Sequence, residues 1–211
     1  MKKITLFSIL ALCLMVLSFS SCNSDSDNTY NYPSTTEAYN MMLKIAGRGY
    51  NSGKIYFPGD SIDKNTKWKA DSVIATIRVN PTDSSYTISN FPVSKLSNYI
   101  KDETISKLFA KLPDQTVTGK LLAADAQNLS FGTITNNITC TAEDGKVVTL
   151  RFYAGYTDVS AAGATKDKKN FVIYISPGAI NVDGNLKDGY VRTYSYYGYT
   201  YPYIVRVVYS L

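Results

Sequence analysis

Apolar residues recur at helical spacing in two stretches and alternate with polar ones through most of the rest of the chain. Ser34-Thr35-Thr36-Glu37 fits a capping box. Tyr39, Met42, Leu43 and Ala46 follow at helical spacing and Gly47 is placed to stop them, which predicts a helix of about three turns. Residues 54–57 read as a short strand between Gly53 and Pro58-Gly59. Val73, Ala75, Ile77 and Val79 alternate with Ile74, Thr76 and Arg78, as in a half-buried strand. Pro81 ends it, and residues 85–89 are its partner across the Pro81-Thr82-Asp83-Ser84 turn. Val93, Leu96 and Ile100 return to helical spacing behind Pro92. Asp102 caps a further turn with Ile105, Leu108, Phe109 and Leu112 on one face, stopped by Pro113.

From Thr116 onward the pattern is strands and turns only. Ile134, Asn136, Ile138 and Cys140 lead into Glu143-Asp144-Gly145-Lys146, and residues 147–153 follow. Asp-Gly between alternating runs predicts a hairpin. Residues 156–168 read as a small-residue loop, and residues 170–176 and 190–211 as closing strands. The expected fold class is α+β and β-rich. It is an antiparallel sandwich or barrel-like sheet with two or three short helices, in one domain over residues 35–211.

The N-terminal segment changes the picture from fold to address. Met1-Lys2-Lys3 is basic, residues 4–19 are uncharged and mostly apolar, and Ser20-Ser21 precede Cys22. Residues 1–21 therefore read as a secretory signal peptide. A single-pass anchor would need roughly 20 apolar residues. Leu17-Ser18-Phe19-Ser20-Ser21-Cys22 resembles the lipobox of bacterial lipoproteins, with Phe19 in the slot usually held by Leu. The resemblance implies that Cys22 is acylated through its thiol and becomes the first residue of the processed chain. Each buried CH₂ contributes about 0.8 kcal/mol, so two or three acyl chains hold where one does not. Residues 22–34 read as a flexible tether. Asp25 and Asp27 resemble the surface-export signal of Bacteroidetes lipoproteins; the alternative is that they keep the tether soluble.

Charge and composition exclude several classes. The net charge is +5, but charged residues are only 18% and are not clustered, so no nucleic-acid partner is expected. Aromatics at 13% argue against disorder. The absence of His removes His-based metal sites, triads and general bases. Once Cys13 leaves with the signal and Cys22 carries lipid, Cys140 stands alone. No intrachain disulfide is expected, and Cys140 reads as a buried core residue rather than a catalytic thiol.

Motifs for chemistry are thin. Ser61-Ile62-Asp63-Lys64 matches S-x-x-K, but the accompanying K-T-G is absent. Asn181, Asp183 and Asn185 imitate the start of a calcium loop, yet Leu186 replaces its Gly and Arg192 its final Glu, so Asp183-Gly184 reads as a turn. Asp60, Asp63 and Asp71 show no ligand spacing, and neither a metal nor a cofactor is expected. Glu103 and Glu143 read as solvated, although a pair of acids across a cleft stays open as a glycosidase arrangement.

One feature stands above this background. Eight Tyr lie between Tyr190 and Tyr209. In a regular strand Tyr197, Tyr199, Tyr201 and Tyr203 share one face, with Tyr194 and Tyr196 on the other, and Gly198 and Pro202 suit an edge or bend. The first four are the candidate binding face, an aromatic platform for sugar rings or a protein partner. The plainer alternative is an amphipathic edge strand.

Arg48-Gly49-Tyr50 through Gly53-Lys54, then Asp71-Ser72-Val73, and above all Ile88-Ser89-Asn90-Phe91-Pro92-Val93-Ser94-Lys95-Leu96 carry a family likeness. On these residues the chain resembles a set of small Bacteroidetes lipoproteins built around a domain of unknown function, over residues 35–211. That resemblance implies no activity and no catalytic residues. The expected function is a lipid-anchored outer-membrane lipoprotein, non-catalytic, with a binding or structural role in the cell envelope. The alternative is a carbohydrate-active enzyme or its glycan-binding accessory. Expected partners are the membrane through the anchor, and a glycan or another envelope protein. Whether the domain faces the periplasm or the cell surface stays open.

Overall fold

The computed structural model describes residues 32–47, 49–58, 71–160, 170–196 and 198–211. Helix α1 (Thr35–Ala46) opens the domain. Its capping box is formed: the Ser34 hydroxyl accepts from the Glu37 amide at 3.3 Å, and the Glu37 carboxylate accepts from the Ser34 amide at 2.8 Å. The buried face is Met41, Met42, Ile45 and Ala46, while Tyr39 and Leu43 are exposed. The helix lies at its expected place but is rotated about its axis, because the sheet beneath it determines which stripe is covered.

The strands are β1 (Asn51–Phe57), β2 (Asp71–Asn80), β3 (Ser85–Phe91), β4 (Gln115–Asp125), β5 (Ser130–Thr135), β6 (Ile138–Thr141), β7 (Val147–Tyr153), β8 (Gly155–Ser160), β9 (Asn170–Val182), β10 (Asn185–Lys187), β11 (Thr193–Tyr196), β12 (Tyr199–Pro202) and β13 (Val205–Ser210). All pairings are antiparallel. The main path runs β13-β1-β2-β3-β4-β5-β8-β9, and β13 also pairs with β9. The pairing path thus returns on itself, as a curled, barrel-like antiparallel sheet. Its inner face carries alternating apolar residues such as Ile55, Ile77, Ile88, Val117, Phe171 and Val207. Tyr86 lies across Gly119, where a Cβ would overlap its ring, and its hydroxyl meets that of Thr135 at 2.7 Å. The hydroxyls of Ser130, Thr133 and Thr157 are buried with no protein partner.

Three helical segments are seen among the described residues, in line with the β-rich expectation. The second is a 3₁₀ helix (Val93–Tyr99), whose buried Val93, Leu96 and Tyr99 recur every three residues as that geometry requires. The third, α2 (Glu103–Ala110), has Asp102 as its cap, accepting from the Ile105 amide at 2.9 Å.

Three expectations need correction. Residues 134–140 do not form one strand: β5 belongs to the curled sheet, whereas β6 pairs only with β7. The expected loop over residues 156–168 begins with a strand, β8, whose inward Thr157 gives no apolar alternation to read; residues 161–169 lie outside the described residues. Finally, β9 does not stop at Ser176. It continues through Pro177-Gly178 to Val182, because a register shift opposite Phe152 accommodates the proline.

Candidate functional site

The shift opposite Phe152 also sets up the site. β7 and β8 run along the same edge of β9, β7 against its second half and β8 against its first, with Ala154 at the joint. The other edge of β9 is taken by β13 over residues 170–175 and by β10 over residues 180–182. In chain order between those two strands comes the hairpin β11–β12.

That hairpin corrects the expected single strand. Gly198 turns the chain at φ 78°, a conformation that suits glycine. The register places Tyr194 opposite Tyr201 and Tyr196 opposite Tyr199. With a period of two, Tyr194 and Tyr201 share one face of the hairpin rather than lying on opposite faces. The other face pairs Thr193 with Pro202 and Ser195 with Thr200.

The rings form a graded series from core to solvent. Tyr99 stacks on Tyr203 with centroids 5.1 Å apart, Tyr203 meets Tyr194 at 5.5 Å, and Tyr194 stacks on Tyr201 at 5.6 Å. Each such contact contributes about 0.5–1.5 kcal/mol beyond burial. Tyr203 is 8% exposed, Tyr201 39% and Tyr199 69%. Of the candidate face, Tyr199 and Tyr201 are therefore open to solvent, Tyr203 is a packing residue beneath them, and Tyr197 lies outside the described residues. Burial, with the neighbouring Tyr201 and Tyr203, pushes the Tyr194 hydroxyl above its ordinary pKa. The base of the hairpin is held by Lys101 and Arg192, whose amides donate to the Tyr190 and Tyr99 carbonyls at 2.7 Å each.

Between the hairpin and the β7–β8 joint lies a groove of about 750 Å³. One wall is Tyr153, Ala154, Gly155, Tyr174 and Ser176; the other is Thr193, Thr200, Pro202 and Ile204. No carboxylate, lysine or arginine lines it among the described residues. Such a groove can stack flat rings and exchange hydrogen bonds with hydroxyls. Tyr153 and Tyr174 are absent from the sequence-level site; they lie far in the chain from the Tyr-rich segment, and only the exposed aromatic before Ala154-Gly155 hints at a corner.

A second cavity of about 580 Å³ sits between α2 and the β6–β7 hairpin, and it holds the acids that a hydrolase reading needs. Asp102 caps α2, Glu143 pairs with Lys111 at 3.2 Å, and Asp144 pairs with Lys146. Hydrogen bonding from Lys146 holds Asp144 below its ordinary value, the opposite of what a general acid requires.

Asp183 and Gly184 form the β9–β10 turn, and the Asp183 carboxylate accepts from the Val147 amide at 2.8 Å. Cys140 is half-buried rather than buried, at the margin of the core, and desolvation raises its thiol pKa. No cluster of metal-ligating side chains occurs among the described residues. Cys22, Ser61 and Lys64 lie outside the described residues, as do Asp60 and Asp63.

No curated protein and no solved structure matches the chain. A family profile described as a domain of unknown function, DUF4840, matches residues 24–182. The matched span ends on the last residue of β9, so the tyrosine hairpin and β13 follow it. Covering well over half of the chain, the match places this protein in the DUF4840 family.

Proposed function

We propose that this protein is a Bacteroidetes-type lipoprotein, anchored in the outer membrane through Cys22, whose folded part binds a glycan segment without catalysis. The lipobox-like end of residues 1–22 supports the anchor. The groove beneath the tyrosine hairpin carries the binding reading: its volume lies within the roughly 300–1,000 Å³ typical of ligand sites. Its lining of Tyr, Thr and Ser suits stacked sugar rings and their hydroxyls. The carboxylates that would favour a glycosidase sit in the other cavity, each already engaged by a lysine or a helix cap.

The test is saccharide binding by the full chain in non-ionic detergent, measured by calorimetry against a panel of oligosaccharides. Tyr153→Ala is expected to weaken binding at least tenfold, since truncating an anchoring aromatic typically costs about 2 kcal/mol. Binding that is unchanged in Tyr153→Ala, or absent throughout the panel, sinks the reading.

A further inference from the structure

The groove continues onto outward positions of β13, β1 and β2 whose charged residues are cations. Tyr174, which lines the groove, pairs in register with Arg206 on β13, and Arg206 pairs with Tyr56 on β1. These three residues share the outer face in one row across three strands, with the arginine between two tyrosines. The Arg206 guanidinium lies 5.7 Å from the centre of the Tyr56 ring. Lys54, two residues before Tyr56, is the diagonal neighbour of Arg206, about 7–8 Å away by strand geometry. Further along, Arg78 on β2 lies 5.2 Å over Tyr50 and donates to its hydroxyl at 3.3 Å.

None of these three cations has a carboxylate partner among the described residues. The outward positions of β1, β2 and β13 carry no acid among the described residues. The acids that form the described ion pairs, Asp83, Glu103, Glu143 and Asp144, sit in turns and at the start of α2. An ordinary soluble surface mixes the two signs, so three adjacent strands whose charged outward positions are all cations are a feature to explain; the acid on the neighbouring β8, Asp158, pairs with Val172 on the far side of β13 from β1. Each guanidinium lies over a ring, and the planar fork of an arginine matches a planar anion.

We propose that the ligand is an acidic glycan, its sugar rings seated in the groove and its carboxylate or phosphate groups held by Arg206, Lys54 and Arg78. This rests on the groove being the binding site. A neutral groove continuing into the cations of β13, β1 and β2 matches a polymer that alternates stacking surface with negative charge. A neutral glycan would leave those cations unused.

The experiment compares a neutral glucan oligomer with an oligogalacturonate of equal length, using the full chain in non-ionic detergent at low and high salt. The acidic oligomer is expected to bind about tenfold tighter at low salt, with the advantage shrinking as salt rises. Arg206→Gln should remove most of that advantage, and Lys54→Gln or Arg78→Gln part of it, with neutral binding and melting temperature unchanged. Equal affinity for the two oligomers, or an advantage that survives Arg206→Gln, overturns the acidic ligand while leaving the groove intact. Binding of neither oligomer removes the groove reading and this one together. Capture by anionic phospholipid vesicles that depends on Arg206, with no saccharide bound, would assign the face to a membrane and overturn it as well.

Discussion

The Tyr209 hydroxyl donates to the Ile45 carbonyl at 2.9 Å, across 164 positions of sequence. Ile45 lies in the last turn of α1, where carbonyls have no partner within the helix. A residue on β13 thus supplies what the helix end lacks, and the Asn51 side-chain amide does the same for the Ala46 carbonyl at 3.1 Å.

Tyr209→Phe keeps the ring and removes the donor. It is expected to destabilise the domain by about 1–2 kcal/mol, read as a lower urea midpoint with an unchanged m-value. No shift in the midpoint would mean that solvent reaches the Ile45 carbonyl instead.

Alkaline pH should unfold the protein through two buried phenols. Burial, partly offset by the hydrogen bond with Thr135, pushes Tyr86 up from 10.0 to about 12, and burial raises Tyr209 as well. The folded state holds these protons where the unfolded chain has released them, so stability is complete below pH 10 and falls as pH rises towards 12. Tyr86 alone accounts for a loss of about 2–3 kcal/mol across that window. Tyrosinate absorbance and circular dichroism should change together; absorbance saturating while the fold persists would contradict the burial of both rings.

The graded ring series separates packing from binding. Tyr203→Ala should cost about 3 kcal/mol or more, as for other buried aromatics, whereas Tyr199→Ala should shift stability by less than about 0.5 kcal/mol. A thermal melt of each variant checks this. Similar melting temperatures for the two would show that the series carries no load.

Thr157→Val replaces a buried hydroxyl that has no protein partner with a methyl of the same shape. Stability is expected to hold or rise by about 1 kcal/mol, because a desolvated polar group is lost. A clear fall in the denaturation midpoint would reveal a buried water bound there.

Cys22→Ala should abolish metabolic labelling with a radioactive fatty acid and leave the unprocessed precursor in the cell. Labelling that persists in the variant would rule out Cys22 as the anchor.

Features decided within a few residues were legible in the sequence. The Ser34–Glu37 box, the Asp102 cap, the Pro81 turn and the Asp144-Gly145 hairpin all depend on local chemistry and all form. Features decided by distant partners were not. Which side of α1 is buried depends on the sheet beneath it, so Met41 and Ile45 are covered where Tyr39 and Leu43 are not. Pro177 reads as a strand end until β7 shifts register opposite it. The groove was hidden for the same reason: Tyr153, Tyr174 and Thr200 meet only because β9 and the hairpin bring three separated segments together. The Tyr-rich segment announced itself, but a period of two cannot say that Gly198 folds the run back on itself.

The double pairing of β13 bears on how the chain reaches its native state. Every other strand precedes it in the sequence, yet β1 and β9 each leave an edge for it to fill. During synthesis, those two strands wait with bare amides and carbonyls until residues 205–210 emerge. Such edges recruit other chains, and contacts this far apart in sequence form slowly. The interval before the final strand docks is therefore when the newly made protein is most exposed to aggregation and proteolysis, and when a holding chaperone would matter most.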